Sequence, residues 1–259
     1  MRRIRLVVQY KGNAYAGWQV QDTGIGVQEV IEHELFRITG ENIRIHASGR
    51  TDASVHALAQ VVHFDTNSRI PAAKFPYALN VSLPPDIRII YGDEPKNPEF
   101  HARFDAISKH YRYVILNTAH NSAFHYDTAL HIYSELDREL LVQAANQIIG
   151  THDFHAFMAT GTSVKSTVRE IFLSKWTFDN NLLIYDIEGS GFLYNMVRII
   201  VGTMLDIARR RLDISCIQEA FQTGDRSVLG ATAPAHGLFL TGVRYNDFNS
   251  EDYIDVQAI

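Results

Sequence analysis

Ten consecutive residues, Ser48-Gly49-Arg50-Thr51-Asp52-Ala53-Ser54-Val55-His56-Ala57, form the densest polar cluster lying between two extended stretches of this chain. An ionised carboxylate can act as nucleophile or as base. A guanidinium two residues away lowers the pKa of such a carboxylate and keeps it charged, and Arg50 stands at that spacing from Asp52. Gly49 permits backbone angles closed to other residues. The same composition also makes an ordinary turn, with Asp52 capping a backbone amide and Arg50 solvated. Residue types and spacing leave both readings open. A Ser54–His56–Asp52 hydrolase triad is excluded, because three residues so close in one loop cannot adopt the required geometry, and no nucleophile elbow is present.

A second candidate centre is Arg198. The segment Phe192–Arg211 has a helical pattern that is apolar almost all round, with Asn195, Arg198, Gly202, Asp206 and Arg209 forming one narrow polar stripe. Arg198 is therefore expected to be buried. A buried guanidinium left without an anion is strongly destabilising, and Asp52 and Glu188 are its candidate partners. The 12 histidines invite a metal, with His152 and His155 three apart and His56 and His63 flanking a strand. No cysteine pair or HExxH helix accompanies them, so no functional metal is expected. His56 is expected to order the polar loop instead. Cys216 is the single cysteine, which rules out an intrachain disulfide and suits a reducing compartment.

Hydrophobic periodicity supplies the elements that must position these groups. A strand at Arg3–Tyr10 is followed by a helix at about Val27–Ile38, which Gly40 terminates. Extended segments at Ile43–Ala47 and Leu58–Phe64 flank the polar loop. A helix over Ala72–Leu79, a Pro84-Pro85 breaker and a strand at Ile87–Tyr91 complete a βαββαβ-like half. After the stretch Gly92–Pro98 come a strand at Lys109–Leu116, a helix at about Leu136–Ile149 and a hairpin of Val168–Phe178 with Leu182–Glu188 around Asp179-Asn180-Asn181. The Phe192–Arg211 helix, a short helix at Ile214–Gln222 and a strand at Phe239–Tyr245 close the chain. The element order of the first half roughly recurs without a residue-level repeat. The expected fold is α+β. It is a mixed, largely antiparallel sheet built from two βαββαβ-like halves, with helices packed on it and a catalytic cleft between the halves. The expected domains are residues 1–98, carrying the aspartate loop, and residues 99–259, completing the cleft.

With 259 residues, 46% of them hydrophobic and 20% charged, the chain can bury a large core without disulfides or metals. The start MRRIRLVVQYKG is basic and then apolar, but its apolar part is too short for a signal peptide. Asn195, Arg198 and Asp206 interrupt the longest apolar stretch, which argues against a membrane span. We therefore expect a cytoplasmic protein. A net charge of −5 argues mildly against nucleic acid. Asp247, Glu251, Asp252 and Asp255 are grouped at the end, however, and removing their four negative charges from −5 leaves −1. Phosphate binding depends on local clustering rather than net charge. Arg3 and Arg5 on one strand face, Arg209-Arg210-Arg211, and the loop Ala159–Thr167 followed by Arg169 are the candidate contacts to a phosphate backbone. The arginine triplet equally suits a helix C-terminus complementing the dipole.

The polar loop resembles the GRTDxGVHA signature of the tRNA pseudouridine synthase A (TruA) family. The resemblance continues in order along most of the chain. It includes Tyr10-Lys11-Gly12 with Gly17-Trp18-Gln19, Val27-Gln28-Glu29, Ala78-Leu79-Asn80 with Leu83-Pro84, Phe100-His-Ala-Arg103 and Lys109-His-Tyr-Arg-Tyr113. Gly150-Thr-His-Asp-Phe154, Phe192-Leu-Tyr-Asn-Met-Val-Arg198 and Ala233-Pro-Ala-His-Gly-Leu238 extend it through the second half. Ser54 departs from the pattern, standing where the family usually has glycine, and this bears on whether a positive backbone angle is kept there.

The resemblance implies an enzyme that breaks the N-glycosidic bond of a uridine in tRNA, turns the uracil and rejoins it through carbon, without cofactor or metal. It implies that Asp52 is the catalytic aspartate, that Arg50 beside it handles the displaced nucleotide, and that Arg198 pairs with the aspartate. It further implies that Tyr111 stacks on the target base and that Leu238 is an apolar wall of the uracil pocket. A homodimer acting on positions 38, 39 and 40 of the anticodon stem-loop is implied as well. These roles are physically coherent: an extruded base costs a few kcal/mol, which stacking and polar contacts offset. Tyr113, on the same strand face as Tyr111, reads as a core aromatic. The alternative class is a non-catalytic RNA-binding module on the same scaffold, which would need a basic face but not Asp52. A metal-dependent RNA hydrolase would instead be sensitive to chelators and would cleave strands.

Overall fold

A computed structural model of the chain describes residues 1–19, 24–161 and 164–254. The chain divides into two compact units, Met1–Ile107 with Phe239–Ile259, and Ser108–Leu238. These bounds differ from the halves drawn at 98/99: the last strand belongs with the first unit. Thr162 and Ser163 of the expected RNA-binding loop, and Asp255 of the acidic end, lie outside the described residues.

In the first unit a sheet forms from β1 (Arg2–Tyr10), β2 (His46–Ala47), β3 (His56–Thr66), β4 (Ile87–Asp93) and β10 (Leu238–Arg244), the last belonging here from Phe239 on. Its order is β4–β1–β3–β10, with β2 on β3. β1 runs antiparallel to β3 and β4, β2 antiparallel to β3, and β10 parallel to β3. Ile4, Leu6, Val7 and Val8 are all fully buried, so β1 is covered on both faces. Helix α1 (Val27–Thr39) buries Val27, Ile31 and Leu35 at helical spacing. Gly40 ends it at φ 73°, where its amide donates to the Phe36 carbonyl over 2.8 Å. Helix α2 (Phe75–Asn80) is tied to β4 through the Asn80 amide, which exchanges hydrogen bonds of 2.8 Å with both backbone groups of Ile89.

Two expectations are corrected here. The strand anticipated over Ile43–Ala47 pairs only at His46–Ala47. The reason lies on α1: Gln28 donates to the Ile45 carbonyl and Glu32 accepts from the Ile45 amide, so side chains take the groups a ladder would need. Arg3 and Arg5, assigned to the RNA backbone from their shared face, are held within the fold. The register sets Arg3 opposite Asp65 and Arg5 opposite Asp93. Both make two-pronged pairs, at 2.8 and 2.8 Å for Arg3 and 2.9 and 2.6 Å for Arg5. Arg5 is only 3% exposed, and its guanidinium lies 3.7 Å from the centre of the Phe248 ring.

In the second unit the strands are β5 (Ser108–Asn117), β6 (Leu130–Ile132), β7 (Gly150–Asp153), β8 (Val168–Asp179) and β9 (Leu182–Gly189). Their order is β5–β9–β8–β7, antiparallel throughout, with β6 parallel beside β5. The β8–β9 hairpin turns where expected, with Asn180 at φ 51°. Leu183, Tyr185 and Ile187 alternate into the core. Helix α3 (Arg138–Asn146) begins at Asp137, whose side chain accepts from the Leu140 amide, and it lies against β8 where Ser174 donates to the Ala145 carbonyl. Helix α5 spans Cys216–Thr223.

The long apolar helix is shorter than its pattern. Helix α4 covers Met196–Ala208 rather than Phe192–Arg211. Left-handed residues flank it at both ends, Asn195 at φ 59° and Arg210 at φ 57°, and a helix cannot run through either. Arg210 bonds Asp137 at 3.0 Å and Arg211 approaches Asp206 at 3.5 Å. A Cβ at Gly202 would lie 1.7 Å from the Ala231 carbonyl oxygen, so glycine lets the segment after α5 cross the helix closely. Both units are mixed, mostly antiparallel sheets with helices on them, an α+β fold. No helix among the described residues is long and apolar enough to cross a membrane.

Candidate active site

The polar loop joins β2 to β3, and its backbone is fixed from several sides. Ser48 donates through its amide to the Val61 carbonyl at 2.8 Å and through its hydroxyl to Gln60, whose amide nitrogen in turn donates to the Gly49 carbonyl at 2.8 Å. The Thr51 hydroxyl meets the Tyr10 hydroxyl at 2.7 Å, and the Thr51 carbonyl accepts from the Trp18 amide at 3.0 Å. Burial pushes the Tyr10 hydroxyl pKa upward, so it remains a neutral hydrogen-bonding group. The Asp52 carbonyl accepts from the Val55 amide at 3.1 Å, closing a tight turn. Asp52 is half-buried and Arg50 is exposed. His56 is buried, accepts at Nδ1 from the Gly12 amide at 3.1 Å, and stacks on Phe239 with ring centres 4.6 Å apart. It orders the loop, as its position suggested.

The other residues that brace this loop, Gly12 and Gly17 among them, were not assigned that role from the sequence. A Cβ on Gly12 would stand 2.1 Å from the Val55 carbonyl oxygen. Gly17 adopts φ +108°, and its Cβ would stand 2.8 Å from the Thr51 oxygen. Two glycines thus let residues 12–18 pass directly against the turn. The signal was the pair of glycines itself, but nothing local says what they approach. Ser54 adopts φ 64°. The positive angle is therefore kept with serine in place, at a conformational cost of about 1–2 kcal/mol relative to glycine.

The remaining candidates belong to the second unit. Tyr111 on β5 is 8% exposed, with Phe192 edge-on at 5.1 Å. Tyr113 is wholly buried and donates to the Pro234 carbonyl at 2.7 Å, the core role expected of it. Arg112 points to the other face, onto Asp186 at 2.9 and 3.2 Å, where His110 also approaches at 3.2 Å. Desolvation pulls the Asp186 pKa up, but hydrogen bonds from His110 and Arg112 outweigh it and hold the carboxyl below its usual range.

Arg198, expected buried, is half-buried. Its Nε donates to the Ala233 carbonyl and its Nη1 to the Asn195 side chain, both at 2.8 Å, and its own carbonyl accepts from the Ala233 amide at 3.0 Å. Ala233 and Pro234 therefore seat Arg198 and Tyr113 side by side. Gly237 extends the same segment, where a Cβ would lie 2.8 Å from the Tyr113 ring. Leu238 follows, 5% exposed, at the start of β10. Arg50 and Asp52 thus share one loop, and Arg198 and Leu238 lie at either end of one short run of contacts.

Of the histidine pair at 152 and 155, His152 bonds the Ile149 carbonyl at 2.9 Å and stacks on Phe221 at 4.3 Å. Among the described residues no group of three or more His, Cys, Asp or Glu is placed to hold a metal ion.

Comparison with known proteins connects this arrangement to a family. The family described as tRNA pseudouridine synthase matches residues 6–105 and 144–246. Arg50, Asp52, Arg198 and Leu238 fall inside the matched segments, and Tyr111 falls between them. The chain is 44% identical over 246 residues to tRNA pseudouridine synthase A of Ruminiclostridium cellulolyticum, covering 95% of this chain and 100% of that protein. Identity to the protein of the same name from Geotalea daltonii is also 44%, with the same coverage of both chains. For that from Bacillus licheniformis it is 42% over 247 residues, again covering 95% and 100%. The chain belongs to the tRNA pseudouridine synthase A family of RNA-modifying isomerases.

Proposed function

We propose that this enzyme converts uridines at positions 38, 39 and 40 of the tRNA anticodon stem-loop, with Asp52 as its catalytic group. The observation that carries the reading is the bracing of the Asp52 turn by Tyr10, Gly12, Gly17, Trp18 and His56 in a member of this family. A rigid seat for a carboxylate suits a reaction in which the base must be cut from C1′, turned and rejoined there through carbon. Asp52, as the anion, acts as nucleophile or base on the extruded nucleoside. Arg198 supports its charge, and its orientation is set by Ala233 and Asn195. Arg50, exposed beside Asp52, handles the displaced nucleotide.

Tyr111 stacks on the target uracil, and Leu238 forms an apolar wall of its pocket. Stacking on an aromatic ring contributes about 1–3 kcal/mol per base, which offsets much of the cost of extrusion. No cofactor or metal takes part. The protein acts in the cytoplasm as a homodimer that recognises tRNA by shape more than by base sequence.

The test is to incubate the pure protein with unmodified tRNA transcripts and map pseudouridine at nucleotide resolution. The expected result is modification confined to positions 38–40. Modification elsewhere in the tRNA, with those positions untouched, would contradict the assigned target.

A further inference from the structure

Three imidazoles meet at the end of β3 away from the Asp52 loop. His46 on β2 pairs with His63 on β3, and their rings stack at 5.1 Å. The His101 ring stands 4.6 Å from that of His63 and 5.8 Å from that of His46. These rings, with Arg3, Arg44 and Asp65, line a surface cavity of about 350 Å³. His56, where the loop enters β3, and His63 are seven positions apart along that strand, about 23 Å at ~3.3 Å per residue, while the other end of the loop leaves β2 two residues after His46.

Backbone amides fix the state of two of the rings. The Ala102 amide donates to His63 Nδ1 at 3.1 Å. The Arg103 and Phe104 amides donate to His101 Nδ1 at 3.1 and 3.3 Å. An N–H can only donate, so Nδ1 accepts in both rings and the neutral ring carries its hydrogen on Nε2. A second proton would break these backbone bonds. Burial first, then His101, His46 and Arg3, hold the His63 pKa down to about 4, opposed only by Asp65. Among the described residues none accepts a hydrogen bond from the Nε2–H of either ring.

The acidic groups nearby are already engaged. Asp65 takes both prongs of Arg3, Glu32 takes one nitrogen of Arg44 at 3.1 Å, and Asp105 accepts from the His101 amide at 2.8 Å. Arg44 is exposed and retains further N–H groups. The lining is thus rich in donors whose partners must come from outside. A phosphate group, which only accepts, is the complement of such a lining.

We propose that this cavity is a phosphate site in which His63, His101 and Arg44 hold a phosphodiester of the RNA substrate. The choice of RNA as the source of the phosphate rests on the function proposed above; the donor chemistry does not. As neutral donors, the two imidazoles serve without taking up a proton.

The test is imidazole 1H–15N NMR of the whole protein at pH 7.5, titrated first with inorganic phosphate and separately with an unmodified tRNA transcript. The expected result is a shift of the His63 and His101 Nε2–H signals with both. In the doubly substituted Arg44→Gln, His46→Gln protein, changed only at exposed positions, both responses should weaken. tRNA affinity should fall about fivefold with a shallower salt dependence. A response to inorganic phosphate with none to tRNA overturns the RNA assignment in favour of a free phosphate. Silence toward both overturns the site. Shifts with both titrants support the site even in a sample that forms no pseudouridine, a result that would count against the proposed activity alone.

Discussion

The backbone N–H of Gly12 donates to Nδ1 of His56 across 3.1 Å, so the segment just after β1 holds the residue at which the Asp52 loop enters β3. A methyl group at Gly12 would collide with the Val55 carbonyl and must push this turn aside. Gly12→Ala should lower kcat about 10- to 100-fold, because small displacements of a reacting group are costly. tRNA affinity should change less than about threefold, since phosphate contacts dominate it. Comparing single-turnover rates with equilibrium binding checks this. An unchanged rate would mean that the contact does not position Asp52.

Ser54 at φ 64° carries strain that glycine would relieve. Part of that gain is lost to the greater freedom of glycine in the unfolded chain. Ser54→Gly should therefore stabilise the protein by up to about 1 kcal/mol, and Ser54→Val should destabilise it by about 1–2 kcal/mol. Urea unfolding of the three proteins reads both values. A loss of stability in the glycine variant would contradict the strain.

Tyr111 and Tyr113 share one face of β5 but should fail differently. Removing the proposed stacking ring with Tyr111→Leu should lower kcat/KM by up to about 100-fold while the fold persists. Tyr113→Phe removes the hydrogen bond to Pro234 and should cost about 1 kcal/mol of stability with little effect on kcat. Steady-state kinetics and thermal unfolding on both variants separate the roles. Equal kinetic losses would contradict the division.

His63 should make stability depend on pH. The folded state keeps its ring neutral to about pH 4, whereas the unfolded chain takes up a proton near the ordinary value of 6.5. Above pH 6.5 neither state is charged and the effect vanishes. As pH falls from 6.5 to 4 the unfolded state alone gains a proton, so stability drops, on the order of 2 kcal/mol in all. His63→Gln should flatten the curve in that window. Parallel curves for the two proteins in urea unfolding between pH 7.5 and 4.5 would contradict it.

Much of this was legible in the sequence because it is local. The periodicity of α1, the Gly40 stop, the Asn180 turn and the polar loop around Asp52 are each written in a few neighbouring residues. What was missed depends on residues far apart in the chain. The register that brings Asp93 opposite Arg5, 88 residues away, turned an apparent RNA contact into an internal ion pair. Side chains of α1 ended the strand before His46. The bracing of the loop by Gly12 and Gly17 needs the fold to show what those glycines approach. The ends of α4 were lost to left-handed residues, Asn195 and Arg210, whose types permit but do not announce that conformation.

Asp52 is proposed to perform the chemistry and to be dispensable for holding RNA. Asp52→Asn, nearly the same in shape but without the charge, tests it most directly when pseudouridine formation and tRNA binding are measured on the same preparation. The expected result is tRNA affinity within about threefold of the parent and no detectable pseudouridine, because a single catalytic carboxylate would have no substitute. Full activity in the asparagine variant would contradict it.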